Sequence, residues 1–520
     1  MKRLGTSFLV LIIFLSFGAR LYKLDTLPQI LNRDEAGLAY NALLLKETGR
    51  DEWGKSWPIT LESFGDYKLP GYPVLLVALF SVLGTSDAVV RLPSLLAGIS
   101  LIILAYSIAK QSKWGEPYSL MLAVVVATTP VFFFYSRIAF EAMVGLALLL
   151  NALLLLFGKP FGKFTRTTQD ILGIFLWLFA AITYNTPLLL IPFFLPVVVL
   201  SRGIESYKKW LLPIFALSTI FIGLFFSQVT LTSQKSGITL FNDETTREAA
   251  DLWYGSFSGA NQKLFGNKYF YYSTLMFKNT VATFSPSFLM SRGGSHPLHQ
   301  LPGSGHVLVT VYLFGILGLI LALVTCIKRM QKTLKWKKII AYCSFELLLL
   351  YTTVISLAPS IVTVDAPHAT RSLLFFFCLS VASVYALKQL KGNIGTLFIV
   401  VTILLFSQYL TKYFTEYPLS QPDILHVGFD TVIRDVESTT IGPVAVVDGD
   451  GFQYILTAWY LQTPPDLFFT TIVKQLPNSY GFKYGQQLDR YHFIGQSTDR
   501  TDSEKTVVEW KAGSWQVETF

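Results

Sequence analysis

The sequence predicts a polytopic α-helical membrane protein with a small α/β domain at its C-terminal end. Three observations carry that class. Hydrophobic residues make up 52% of the 520 and charged residues only 14%, with a mean hydropathy of +0.48, far from a soluble globular average. The apolar residues gather into runs approaching the roughly 20 residues that a helix needs to cross a bilayer. Beyond residue 410 those runs stop, and short alternating segments separated by turn residues replace them.

Taken in order, spans are expected at about 5–21, 89–109, 118–135, 142–157, 169–184, 187–200, 210–227, 306–327, 339–357, 369–387 and 394–410, eleven in all. Short cytoplasmic connections carry an excess of Lys and Arg. With the N-terminus inside, the inner segments hold 18: Lys2, Arg3, Lys110, Lys113, Lys159, Lys163, Arg166, Arg202, Lys208, Lys209, Lys328, Arg329, Lys332, Lys335, Lys337, Lys338, Lys388 and Lys391. The short outer connections hold Arg137, with Arg371 at the mouth of a span. That asymmetry sets the orientation and accounts for most of the net charge of +9, so no nucleic-acid partner is called for.

Three long segments then lie outside: 22–88, 228–305 and 411–520. The N-terminal run could be a cleaved signal peptide, but no small-x-small cleavage site follows it. The apolar run at 70–84 is only about 15 residues long. As a span it would invert everything downstream, so an interfacial or re-entrant helix is expected there. Leu38, Ala42 and Leu45 at helical spacing predict a second helix lying on the outer membrane surface. In the tail, "GPVAVVDGDGFQYILTAWYL" reads as strand, turn and helix, and "RYHFIG", "KTVVEWKAG" and "SWQVETF" read as strands. The expected division is a membrane domain over 1–410 and an external α/β domain over 411–520. Cys326, Cys343 and Cys378 fall in or beside apolar runs and say nothing of redox compartment.

Four clusters of ionisable residues fall on the expected outer face. Asp34 and Glu35 head the surface helix. Asp66 and Lys68 precede the interfacial helix. Arg137 and Glu141 are expected one helical turn apart, in the short loop after the third span. Asp365, His368 and Arg371 lie between the ninth and tenth spans. Each has a structural reading: a favoured helix start, a solvated turn, an i,i+4 pair, an interfacial anchor. Their shared face weakens those readings together. Glu346, inside a span, is costly at that depth and reads as structural. The pair Asp51-Glu52 repeats the Asp-Glu dipeptide but is expected in a solvated turn. His296, His299 and His306 form at most a weak metal-ligand pattern.

The stretch "NRDEAGLAYNALLL…GKSWPITLESFGDYKLPGYPVLLVALFSVLGTSDAVVRLPSLLAG", followed by "SRIAFEA", resembles membrane glycosyltransferases of the GT-C class. The nearest match is the bacterial glycosyltransferase family 39 branch of the superfamily of protein O-mannosyltransferases and aminoarabinose (lipid A) transferases. The resemblance covers residues 30–145 and thins toward the tail. Where that family often shows Lys-Pro-Pro, this chain has Lys68-Leu69-Pro70.

The resemblance implies an inverting glycosyltransferase in the plasma membrane, with its site on the outer face and a polyprenyl-phosphate-linked sugar as donor. The acceptor hydroxyl would belong to a protein, a lipid glycan or a cell-wall polymer. An attacking hydroxyl needs a carboxylate to take its proton, and Asp34 is the expected base, with Glu35 orienting the acceptor or tuning Asp34. The phosphate leaving group needs cations, for which Arg137, Arg371 and Lys68 are expected, with Glu141, Asp66 and His368 as further substrate contacts. Lipid tails would lie in a groove between spans. No cofactor is read from the residues, although a divalent metal is compatible with the chemistry. A lipid-linked sugar flippase would place its charges near the bilayer midplane, often in repeated halves, and no repeat is visible. A non-catalytic envelope assembly protein would not need acids and cations on one face.

The topology is open to a direct check. Ser256 and Ser420, each changed to Cys, should react with an impermeant maleimide in intact cells. Labelling only after permeabilisation would reverse the orientation.

Overall fold

The computed structural model describes residues 2–158, 165–202, 237–294, 296–332, 344–390, 392–478 and 481–520. The expected span at 210–227, Cys343, and Lys159, Lys163, Lys208, Lys209, Lys335, Lys337, Lys338 and Lys391 lie outside the described residues. The chain opens with α1 (Lys2–Leu21). A first loop holds α2 (Arg33–Thr48), the hairpin β1 (Leu61–Ser63) to β2 (Asp66–Lys68), and α3 (Gly71–Leu83). There follow α4 (Asp87–Gln111), α5 (Glu116–Thr128), α6 (Pro130–Tyr135), α7 (Glu141–Phe157), α8 (Arg166–Ala181) and α9 (Asn185–Arg202). Next come α10 (Glu244–Gly255), α11 (Gly259–Leu264) and α12 (Lys268–Thr283), then α13 (Val309–Lys332), α14 (Ser344–Ile361), α15 (Leu373–Leu390) and α16 (Ile394–Thr415).

Among the described residues five helices, α1, α4, α13, α15 and α16, are long and apolar enough to cross a membrane, and the chain is a multi-pass membrane protein. The apolar helices α3, α5 and α7, and the apolar stretches of α9 and α14, are shorter, so among the described residues several of the expected spans fall short of spanning length. α4 and α15 are buried over most of their length, whereas α1, α13 and α16 present Phe14, Ile320 and Leu404 outward. Outward apolar side chains on long helices suit a lipid surround. The expected span at 118–135 is broken: Thr129 is extended between α5 and α6. Pro130 is the reason, because its ring disfavours helical geometry in the residue before it.

The C-terminal region forms the expected sheet. It contains α17 (Phe429–Thr439), β3 (Val444–Val447), α18 (Gln453–Tyr460), α19 (Pro465–Thr471), β4 (Val473–Lys474), β5 (Gly485–Leu488), β6 (Tyr491–Ile494), β7 (Thr506–Lys511) and β8 (Ser514–Thr519). The strand order is β4-β5-β6-β3-β7-β8, with β3 parallel to both β6 and β7. Its loops and α18 pack onto the first loop of the chain.

That packing corrects two expectations. α2 is not a surface helix: Glu35 through Leu45 are all buried. The C-terminal region covers the face that was expected to be wet. Tyr40 donates to the Thr463 carbonyl at 2.8 Å and its ring lies 5.0 Å from that of Phe468, while the Leu31 N–H donates to the Tyr460 hydroxyl at 2.7 Å. Nor is the Asp51-Glu52 pair solvated, since both residues are buried. Asp51 Oδ1 accepts the Trp53 and Lys55 N–H groups, closing a tight turn. Glu52 bridges the regions, accepting from the Tyr454 hydroxyl at 2.6 Å and pairing with Lys474 at 3.1 Å. Sequence spacing does not show which external turn another domain will cover.

The start of α2 is closed by Asn32, whose side chain accepts the Asp34 and Glu35 N–H groups while the Glu35 carboxylate accepts the Asn32 N–H, a reciprocal capping box. Glu35 Oε1 also meets Arg91 Nε at 3.1 Å and accepts the Ala139 N–H at 2.7 Å. Arg91 donates further to the carbonyls of Leu24, Pro28 and Ile30. Arg137 does the same for the carbonyls of Arg20, Lys23 and Leu27, with Tyr413 on its Nε. Glu346 finds partners in Arg329 at 3.2 Å and the Tyr385 hydroxyl at 3.0 Å.

Both Glu35 and Arg91 are fully buried. Removing one partner of such a pair leaves an uncompensated charge and costs about 3–5 kcal/mol. Glu35→Gln should therefore lower the midpoint of unfolding in detergent sharply, while Asp25→Asn on the exposed part of the same loop should not. Equal midpoints for the two variants would show that the pair is not structural.

Candidate functional site

A cavity of about 570 Å³ opens where the first loop, the starts of α7 and α9, the loop before α15 and the C-terminal region converge. Asp34 enters it from the first turn of α2, Asp66 and Lys68 from β2, and Glu141 from the first turn of α7. His368 and Arg371 enter from the other side, ahead of α15. Six of the eight residues expected at a site thus line one cavity.

Lys68 is the hub of one wall. Its ammonium lies 2.5 Å from Asp34 Oδ1 and 3.4 Å from Asp66 Oδ2, and its side chain is 9% exposed. Burial alone would favour the neutral amine, but Asp34, Asp66 and Glu141 outweigh it and raise the pKa. Lys68 therefore stays charged at any working pH and orients the Asp34 carboxylate. The hairpin that carries it turns through Phe64 and Gly65, both left-handed. A Cβ on Gly65 would meet the Gly481 carbonyl oxygen at 2.5 Å, so the close approach of the C-terminal region requires glycine there.

The facing wall centres on Asp365. Arg371 pairs with it and donates to Thr363 Oγ1 at 2.9 Å. Burial pushes the Asp365 carboxyl up, and Arg371 more than reverses this. His368 is brought down to about 4 by burial and by Arg371, against the opposing charge of Asp365. Beside it, the His299 ring lies 4.9 Å from His368 and 4.5 Å from His296. His299 is driven well below its usual range by burial and by those two rings. No group of three or more His, Cys, Asp or Glu among the described residues has the geometry to hold a metal.

Two expected residues do not reach the cavity. Glu35 points the other way, into the contact with Arg91 and Ala139, because the capping box turns its side chain back toward Asn32. Arg137 is buried against carbonyls of the end of α1 and of the segment after it, and it sits in a turn rather than on the helix that Glu141 begins. The expected helical pairing of Arg137 with Glu141 is absent, since α6 ends at Tyr135 and α7 starts only at Glu141.

The cavity also has residues that sequence reasoning passed over, Arg33, Phe452 and Phe482, together with His299, which the sequence offers only as part of a weak metal-ligand pattern. Arg33 left a signal. A cation in the first turn of a helix faces an unfavourable macrodipole, so its presence there calls for another reason. The two aromatic residues sit on loops of the C-terminal region, and nothing in their local sequence marks them. A separate groove of about 570 Å³ runs along α4, α7 and α8, lined by Pro93, Ile103, Leu148 and Leu172.

No family profile matches the chain, and no curated protein matches it. Among solved structures, it is similar to ArnT from Cupriavidus metallidurans bound to undecaprenyl phosphate, at 11% identity over 88% of this chain and 85% of that one, with a TM-score of 0.37. It is also similar to the oligosaccharyltransferase AglB from Archaeoglobus fulgidus in complex with an inhibitory peptide and a dolichol-phosphate, at 12% identity and a TM-score of 0.46. That alignment covers 88% of this chain and 64% of AglB. A further structure of the A. fulgidus oligosaccharyltransferase, in complex with Zn and sulfate, aligns over 96% of this chain and 67% of that one, at 12% identity and a TM-score of 0.49. Both are GT-C glycosyltransferases, the class that the sequence resembles.

The depressed histidine has a pH consequence. His368 is neutral in the fold down to about 4, whereas an unfolded histidine titrates near 6.5. Its contribution to stability is present above about pH 6.5 and is lost as the pH falls toward 4. The unfolding midpoint of His368→Asn should therefore vary less between pH 6.5 and 4 than that of the parent. Parallel pH curves would refute the assignment.

Proposed function

We propose that the chain is an inverting glycosyltransferase that moves a sugar from a polyprenyl-phosphate-linked donor to an acceptor hydroxyl on the outer side of the membrane. The observation that supports this best is the convergence of Asp34, held by Lys68 at 2.5 Å, and Arg371 on one cavity at the ends of apolar helices. The sequence resemblance over 30–145 supplies the donor class.

In this reading Asp34 is the general base. The acceptor oxygen attacks the anomeric carbon, the bond from that carbon to the phosphate oxygen breaks, and the acceptor proton passes to the Asp34 carboxylate. Lys68 orients that carboxylate at some cost in basicity, so proton transfer is completed as the attack develops. The leaving phosphate gains charge and needs a cation aimed at it. Arg371 spends one terminal nitrogen on Asp365 and Thr363, and the rest of its planar fork suits a phosphate. Asp365 and Thr363 hold that fork in place. The groove along α4, α7 and α8 is apolar enough to take a prenyl chain. Glu35 and Arg137 act at one remove, by fixing the backbone from which Asp34 and the wall of α7 project.

Asp34→Asn should leave the protein folded and cut sugar transfer by roughly 10²–10⁴-fold, the usual scale of general-base catalysis. The control is Asp25→Asn, because Asp25 is exposed whereas the duplicated dipeptide at 51–52 is buried. The assay is transfer from a polyprenyl-phosphate-linked sugar in membranes with matched protein levels. If Asp34→Asn and Asp25→Asn transfer sugar at the same rate, the catalytic assignment is lost.

A further inference from the structure

We infer that Arg33 and Phe452 form an anion subsite for the acceptor, which is therefore a glycan carrying a phosphate or carboxylate; this rests on the transferase reading above. Arg33 lines the cavity next to Asp34. Its guanidinium lies 4.3 Å from the centroid of the Phe452 ring. It donates no hydrogen bond and makes no ion pair among the described residues. The other cavity cations are engaged: Lys68 by Asp34 and Asp66, Arg371 by Asp365. A guanidinium held over an aromatic ring keeps N–H donors for a planar or tetrahedral anion, because the ring engages its charge without taking its hydrogen bonds.

The platform is built rather than incidental. Phe452 is packed edge-on by Phe64 at 5.0 Å and by Tyr484 at 5.2 Å. Its loop is closed by Asp448, which accepts the N–H groups of Gly451, Phe452 and Gln453. The Lys483 N–H donates to the Phe64 carbonyl at 3.1 Å, tying the Phe482 loop to the hairpin that bears Lys68. His296 and Tyr484 lie within electrostatic reach of Arg33, and among the described residues neither Asp448 nor Asp450 forms an ion pair with it. Placement separates this cation from Arg371. Arg371 stands ahead of α15, an apolar membrane helix, where a lipid phosphate arrives from the bilayer. Arg33 is backed by the C-terminal region, on the side that a water-borne glycan approaches. A phosphate or carboxylate docked on Arg33 would set a neighbouring hydroxyl against Asp34.

The test is ligand-observed NMR on the full chain in detergent, with glucose 6-phosphate, glucuronate, neutral glucose and undecaprenyl phosphate as probes. In the parent protein at least one anionic sugar should bind more tightly than glucose, and undecaprenyl phosphate should not displace it. The ratio of the two anionic sugars tells phosphate from carboxylate. Arg33→Gln should weaken the anionic sugar about tenfold or more, the scale of a lost charge-assisted contact. It should leave undecaprenyl phosphate within about twofold, while Arg371→Gln should do the reverse. Phe452→Leu keeps the cation and removes its support, so it should weaken the anionic sugar severalfold and covers the case in which Arg33→Gln misfolds. Equal binding of anionic and neutral sugars would overturn the proposal. So would displacement by the lipid phosphate, which would assign Arg33 to the donor. The readout is binding, so absence of sugar transfer in the Asp34 assay would remove the enzyme reading and leave this subsite standing.

Discussion

The buried contact between Glu35 and Arg91 is the constraint on which the rest of the architecture depends. One carboxylate closes the N-terminus of α2, holds an arginine of α4 at 3.1 Å and accepts the backbone of the turn before α7 at 2.7 Å. The same arginine collects three carbonyls from the segment after α1. Two charges taken out of water repay that cost only when their remaining donors and acceptors are satisfied, and here the satisfying groups come from four separate parts of the chain. The contact therefore sets where Asp34 stands relative to α7 and Glu141.

Arg137 repeats the device one layer away, with its donors spread over carbonyls from residues 19 to 27. Backbone that is neither helix nor strand must find partners wherever water is excluded. Two arginines supply them for the irregular stretch between α1 and α2. Conserving geometry at the cavity is thus the work of side chains that never enter it.

The C-terminal region completes the cavity as well as covering the first loop. Glu52 with Lys474, Glu62 with Lys483 at 2.7 Å, and Asp87 with Trp459 and Tyr460 join it to three parts of the membrane-proximal chain. These are partly or wholly buried ion pairs and charge-assisted hydrogen bonds, which are directional and hold one relative placement. Phe452 and Phe482 reach the cavity only because of that placement.

The sequence by itself determined the class, the long apolar helices, the strands of the tail and six of the ionisable residues that line the cavity. Each depends on a local pattern: runs of apolar residues, period-two alternation, or ionisable residues next to the ends of apolar segments. Asp34, Asp66, Lys68, Glu141, His368 and Arg371 were legible because a charge beside an apolar run is conspicuous. Only the tertiary structure decided which of two adjacent acids faces the cavity. Asp34 and Glu35 differ by one helical position, about 100° of rotation, and the choice fell to Asn32 and Arg91. It likewise decided that Arg137 is an internal staple, that Asp51 and Glu52 are buried, and that Arg33 and Phe452 meet. Those outcomes depend on contacts between segments up to about 400 residues apart in the chain, and no local pattern encodes which distant surface a side chain will meet.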